Sequence, residues 1–524
     1  MVNQDRLFPL SSLTAGTVLS YYGVYLLSSC GFFPDSGLFS GAGRPFILAA
    51  VVLWSVLLVL SSPPVISQRP RRRFCVLGFT FAAGLVLGAV FAGRIPGPPG
   101  LGLPAGEVSA LEGVLLEDPR KIAGGNGMGR LELRQAWTPG TTAIGGAGVR
   151  SSARGRVTVI FPGGRLEDLK EFGRKCVVYL EGGFIRPQPG EPDPGMFRAV
   201  GVHVISPAPP LERLRTGLRQ SLVSLLSRPD NQSWGSLSLA LLLGVRDNLD
   251  SDLARSYREA GVSHVLALSG MHLAVLSALI AFLFKPVLGS RWAALIGALF
   301  IVLYVFLVGS QPSLDRAVIM YLLGALAIVC SLTRNPVSLL NLAFIVQIIW
   351  QPEAGIAVSF VLSYLALWGI LHLGVKIAGL FRGRIPPVLL QGLSASLGAF
   401  IATASVSAAN FGALQPAGIL TGLVIVPLTS LFMVLTIAYL VLVPFLPFLS
   451  QLLGLGLSLL YKTLNVLVGF SAGLPGIALN LNSSGTVKLS AWLWVPGLSI
   501  LLAGLIVVFA RRRARAAACI PALP

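Results

Sequence analysis

Apolar runs near the length of a bilayer crossing recur along almost the whole chain, and they constrain the fold more than any other feature. Three open the sequence, at 10–29, 46–60 and 74–92. Nine follow later, at 262–284, 292–308, 314–332, 337–350, 356–375, 388–408, 417–443, 451–470 and 491–510. A helix needs about 20 apolar residues to cross roughly 30 Å of hydrocarbon. The pattern therefore predicts a polytopic α-helical membrane protein with about twelve transmembrane helices, of which 337–350 is short enough to be re-entrant. Composition agrees, because 54% of residues are hydrophobic and only 12% charged, against about a quarter charged in soluble domains. A soluble enzyme and a disordered chain are excluded. Five cysteines without a C-x-x-C pair point to neither a disulfide scaffold nor a zinc site, and no cofactor is expected.

Between 93 and 210 the chain turns polar. Short alternating stretches at 107–116, 130–137, 156–161, 175–184 and 196–205 are separated by Gly- and Pro-rich turns. Period-two patterning in five short runs predicts a small OB-like β-barrel inserted after the third helix. Thirteen basic and eleven acidic residues between 106 and 207 leave it nearly neutral. An amphipathic linker helix follows within 211–235, with Leu211, Leu214 and Leu218 set against Arg213, Arg215 and Arg219. It is read as lying on the membrane surface, with a simple bridge to the core as the alternative. The predicted organisation is thus 1–92 transmembrane helices, 93–210 barrel, 211–235 linker, 236–510 transmembrane core and 511–524 basic tail.

The formal net charge of +19 is assigned mainly to orientation, since Lys and Arg concentrate in cytoplasmic loops. With Arg69, Arg71, Arg72 and Arg73 inside, the barrel falls outside the cytoplasmic membrane. The C-terminus with Arg511, Arg512, Arg513 and Arg515 then returns to the cytoplasm. The first run is expected to remain as a helix, because its flank carries only Asp5 and Arg6 and no small-x-small cleavage site follows.

The segment ALLLGVRDNLDSDLARSYREAGVSHVLALSGMHLAVLSALI, residues 240–280, places His264, Ser269, Gly270 and His272 in an apolar run. Polar groups at that depth are costly unless they face a cavity or a partner. If the run is one helix, the two histidines lie about 80° apart on one wide face. Ser269-Gly270 is a point where it could bend. Interhelical hydrogen bonding is the equally weighted plain reading. At a predicted external helix start, Arg316 is read chiefly as an ion-pair or cap partner of Asp315, with a phosphate contact as the sharper alternative. Asn410 and Gln415 lie at another mouth, as gating or capping groups.

VSHVLALSGMHLAVL resembles the signature of the ComEC competence family, in which a His, four residues, Ser-Gly, one residue and a second His head the core domain. Other segments agree in order: ALLLG with Arg246; QPSLDRAVIMYLLG at 311–324; PEAGIAVSFVLSYLALWGI at 352–370, with Ser359 in the Leu-Ser-Phe position and Ser363 beyond; FGALQPAGILTGLVIVP at 411–427; and PGEPDPGMFRAVGV in the barrel. The resemblance implies an inner-membrane channel admitting single-stranded DNA during natural transformation, with Arg246, His264, Ser269, Gly270, His272, Arg316, Ser359, Ser363 and Asn410 as candidates along its path. It also implies an external OB-like domain that touches the strand. Trp137, Tyr179 and Phe184 are stacking candidates there, although core packing is the first reading of those rings. An external DNA receptor, a separate cytoplasmic ATPase and membrane lipid are the implied partners, because no Walker motif is present. No H-x-H-x-D-H occurs, so no nuclease of its own is expected and a separate one would be needed. Two positions depart from the family pattern, Ala357 for Gln and Gly422 for Asn. The competing readings are an intramembrane hydrolase with Ser269 as nucleophile and His272 or His264 as base, and a transporter of another anionic polymer or lipid.

Overall fold

The computed structural model describes residues 14–21, a few positions between 83 and 91, and most of 100–478. The expected spans at 46–60 and 491–510 and the 511–524 tail lie outside the described residues, as does most of 10–29 and 74–92. Residues 14–21 are helical, and Ala15, Val18, Tyr21 and Phe91 join a core with Phe344, Phe360 and Tyr364.

Seven strands form the polar domain: β1 (Ala110–Leu115), β2 (Arg120–Lys121), β3 (Gly127–Trp137), β4 (Arg150–Ser152), β5 (Arg156–Phe161), β6 (Val177–Phe184) and β7 (Met196–Ser206). Five of them close in the order β1-β6-β7-β5-β3-β1, with every pairing antiparallel except β5–β7. The expected five-stranded barrel is therefore present. Strict alternation sends Leu131, Leu133, Val157, Val159 and Phe161 inward, which leaves Arg130 and Arg156 on the exposed side. Gly113 sits at a bulge where β1 crosses β3 so closely that a Cβ would strike Glu132 O.

Helix α1 (Pro210–Leu226) leaves the barrel. Arg215 turns inward and is buried and Arg219 is half-buried, while Arg213, Leu211, Leu214 and Leu218 are exposed. Then come α2 (Gln232–Leu243), α3 (Ser251–Glu259), the single turn α4 (Ser263–Leu266), α5 (Gly270–Val308), α6 (Pro312–Val329), α7 (Pro336–Trp350), α8 (Val358–Phe381), α9 (Pro387–Phe411), α10 (Gly418–Leu442) and α11 (Leu449–Ala472). Among the described residues six helices are long and apolar enough to cross a membrane. The protein is a membrane protein.

The longest of these, α5, is two helices. Gly289 has φ +78°, a region open to glycine. There the chain folds back, placing Phe284 on Phe300 at 6.4 Å and a Cβ on Gly297 3.7 Å from Ile280. Residues 270–284 of the expected run 262–284 and the run 292–308 thus form one hairpin, with 262–269 outside it. At 15 residues, α7 is about 22 Å long and too short to span. It is instead held inside by Gln347, which donates to Pro312 O (3.0 Å) and accepts from the Tyr364 hydroxyl (2.9 Å).

Candidate functional site

A cavity of about 2830 Å³ runs from the rim of the barrel into the helices. Small-ligand pockets usually enclose about 300–1,000 Å³. Its outer wall carries Arg120, Lys121, Arg130 and Arg156 of the barrel, with Arg174, Arg215, Arg219 and Arg258 nearby. Five carboxylates, Glu117, Asp118, Asp247, Glu259 and Glu353, accompany them. Deeper, the lining from α5, α6, α8, α9 and α10 is uncharged and largely apolar, with the hydroxyls of Ser277, Ser313, Ser359, Ser363, Ser396, Thr403 and Ser407 set among Leu273, Leu362, Phe400 and Val426, and Arg316 is its single charge among the described residues.

The histidine segment is not one helix, which corrects the expectation of a shared histidine face. His264 lies on the α4 turn, Ala267 is extended, and α5 starts only at Gly270. The cause is local. The Ser269 hydroxyl accepts from Met271 N–H at 3.3 Å, and His272 Nδ1 accepts from Ser269 N–H at 3.2 Å, a reciprocal cap that fixes a helix start here. His264 is exposed to the cavity, whereas His272 is 0% exposed and does not line it. Arg246 also stays off the lining, donating to Leu266 O at 2.8 Å and so holding the α4 turn.

Ser269, Gly270, Arg316, Ser359, Ser363 and Asn410 all line the cavity. Asn410 donates to Val406 O at 2.8 Å, and Ser313 and Ser363 share a 3.1 Å hydrogen bond between α6 and α8. The anticipated Asp315–Arg316 ion pair is absent: Asp315 accepts from the Ser310 hydroxyl at 2.6 Å, while the Arg316 guanidinium sits 5.7 Å over the Tyr364 ring. Arg316 is 8% exposed, its Nε has no partner, and no carboxylate among the described residues lies within ion-pair distance.

On the barrel, Trp137 and Tyr179 pack edge to face at 5.2 Å and are 8% and 5% exposed, while Phe184 packs on Phe197 at 5.3 Å. None of the three lines the cavity. The barrel-strand cations that do are Arg120, Lys121, Arg130 and Arg156, beside Glu117, Asp118, Met128, Thr158 and Met196. The signal for Arg130 and Arg156 was the polar phase of the β3 and β5 alternation, whereas Arg120 and Lys121 lie on the two-residue β2, which has no period to read.

The barrel is held at this mouth by a buried charge network. Arg215 Nη2 and Nη1 donate to Asp118 at 2.6 and 3.2 Å, Arg219 Nη1 donates to Asp118 at 3.1 Å, and Arg215 Nε donates to Phe306 O at 2.8 Å. Glu212 accepts from Arg174 at 2.8 Å and pairs with Lys175 at 2.9 Å. Arg156 pairs with Glu353. Burial alone would raise the Asp118 carboxyl, but the hydrogen bond and charge of Arg215, with Arg219 and Arg174, hold it below the usual carboxylate range. Glu212 is likewise desolvated upward yet held low by Arg174 and Lys175.

These features define a helical membrane protein with an extended cavity, cationic at its mouth and capped by a barrel. Residues 241–512, just over half of the chain, match the family described as Competence protein. The chain belongs to the ComEC competence family. It is 32% identical over 158 residues to ComE operon protein 3 of Bacillus subtilis (strain 168), an alignment covering 28% of this chain and 20% of that relative. The match thus spans about a fifth of the curated relative's length. No solved structure matches.

Proposed function

We propose that this chain forms the channel through which single-stranded DNA crosses the cytoplasmic membrane in natural transformation, with the barrel outside and the C-terminus in the cytoplasm. The observation that carries the reading is the cavity itself, with cations from barrel strands at its mouth and, in the helices, an almost uncharged wall dotted with hydroxyls. A polyanion needs such a path: cations to gather it, hydrogen-bonding groups to slide past, and no deep ring of carboxylates.

The closed five-strand order with one parallel pair, β5–β7, supports an OB-type barrel. Its edge of Arg120, Lys121, Arg130 and Arg156 is the surface that would meet the strand. Helix α1 would lie on the outer leaflet with Leu211, Leu214 and Leu218 in lipid. An external DNA receptor and a cytoplasmic ATPase would supply capture and drive. Use of Ser269 and His272 as a helix cap counts against the hydrolase reading.

The test is entry of labelled DNA in a deletion strain carrying the wild-type chain, His264→Ala or Gly422→Trp. A Cβ on Gly422 meets nothing within 4 Å and the residue lines the cavity, so the indole should plug the path. Wild type is expected to restore entry, His264→Ala to reduce it, and the membrane-inserted plug variant to abolish it. Normal entry in the deletion strain, or through the plugged variant, overturns the proposal.

A further inference from the structure

We infer that Arg316 and the helix starts around it form a phosphodiester-binding site part-way down the cavity, a reading that rests on the proposed passage of DNA. Three helices begin on the cavity wall: α5 at Gly270, α6 at Pro312 and α8 at Val358. Neither α6 nor α8 has a side-chain cap on its first turn. Both starts lie on the cavity lining, where the partial positive ends of α6 and α8 favour an anion, although Pro312 itself brings no N–H.

The independent observation is Arg316. It is the deep lining's single cation among the described residues, 8% exposed, with Nε unpartnered. A buried cation without a carboxylate is costly unless an anion joins it. Its position is fixed from two sides. A Cβ on Gly270 would lie 3.2 Å from Arg316 Nη2, so glycine there lets the α5 start approach the guanidinium. The Tyr364 ring beneath is held by its hydroxyl bond to Gln347. The planar fork of arginine suits two oxygens of one phosphodiester. Ser313 and Ser363, joined to each other, supply neutral hydroxyls beside it. Base edges are not read here, so the site would accept any sequence.

The test is binding of a labelled oligothymidylate to the full chain in lipid nanodiscs, titrated with salt. A methylphosphonate oligomer with an uncharged backbone serves as the second probe. Loss of one charge-assisted contact should weaken binding of the charged strand roughly ten- to a hundredfold in Arg316→Gln. The slope of log K against log salt should flatten by about 0.7. Arg316→Lys should keep the slope and recover part of the affinity. Gly270→Ala, whose methyl presses on Nη2 at a helix start that favours alanine, should weaken binding at unchanged slope, and it carries the test if Arg316→Gln fails to insert. The uncharged oligomer should bind wild type and variants alike. Wild-type affinity and slope in the Arg316 and Gly270 variants would overturn the site alone, whereas a wild-type chain that binds no oligonucleotide would overturn the proposed function. An anionic lipid retained by wild type and lost in Arg316→Gln, at unchanged oligonucleotide affinity, would reassign the site to lipid phosphate and overturn the proposal.

Discussion

Asp118→Asn should loosen the barrel from the helices by an amount that follows from one side chain. Arg215 is 1% exposed. In wild type it gives two charge-assisted hydrogen bonds to Asp118 and one to Phe306 O, with Glu212 a further 3.8 Å away. With asparagine there the guanidinium keeps only neutral acceptors, Phe306 O and the amide oxygen, and the single carboxylate of Glu212 at 3.8 Å. Removing one partner of a buried pair costs about 3–5 kcal/mol. Because Asp118 retains 22% exposure and Glu212 remains close, the lower end, about 3 kcal/mol, applies. Hydrogen exchange of the intact chain reads this locally. Protection across α1 and the 116–121 loop should fall about a hundredfold, while the α8–α9 core is unchanged. Arg215→Met added to Asp118→Asn should recover much of the loss, since the fully buried unpaired charge is then gone and Arg219, partly exposed, keeps Val308 O and Leu243 O. Protection within threefold of wild type in the single variant, or strictly additive losses in the pair, would refute the network as the barrel's anchor.

The same network sets an acid limit. Asp118 and Glu212 both titrate below their ordinary values in the folded chain. Their contribution is therefore complete above the unfolded carboxylate range and is lost as pH falls through the folded values, below about pH 4. Exchange protection of α1 should drop over that window in wild type and be flatter in Asp118→Asn. Burial pushes the Cys176 thiol up to about 11, so iodoacetamide at neutral pH should modify the exposed Cys330 and spare Cys176 until the barrel unfolds. Mass spectrometry of the alkylated chain, with Cys30, Cys75 and Cys519 replaced by serine, would show equal labelling if that burial were wrong.

The barrel and the apolar spans were legible because each rests on a period. Alternation in β3 and β5 is imposed by a closed sheet, and long apolar runs by lipid. Legibility failed where a single residue outweighs a run. The span expected from residue 262 gives way at Ala267 because Ser269 and His272 cap each other, and no window average registers a three-residue cap. Gly289 lies in the gap left between two runs, so the hairpin could be read, but not the fusion of its arms at one hinge. The Asp315–Arg316 pairing failed for another reason. Adjacent residues on a helix point about 100° apart, so the two side chains reach different neighbours, Ser310 and Tyr364. Arg215 likewise looked like a solvent-facing member of an amphipathic stripe, and it turns inward only because Asp118 and Phe306 O, each about 90 or more residues distant in sequence, are there to receive it.

The helix starts explain how an apolar bundle can bring backbone polarity to a cavity wall that carries one deep charge, Arg316. A continuous helix hides its backbone dipoles along its length and offers only side chains. A helix that starts part-way along offers free N–H groups at that point. Three helices start on the cavity lining, after Ser269, Gln311 and Ala357; the first is closed by its Ser269–His272 cap, and the other two have no side-chain cap. Irregular backbone in a membrane protein is tolerated where it is buried in protein or lines a cavity. The breaks and the cavity therefore require one another. Closing one break should be felt as lost polarity on the wall: Ser269→Leu, which removes the cap at Met271 N–H and favours helix across 267–269, should weaken oligonucleotide binding with Arg316 intact. Unchanged binding in a folded Ser269→Leu chain would mean that the wall's polarity comes from its serines and threonines alone.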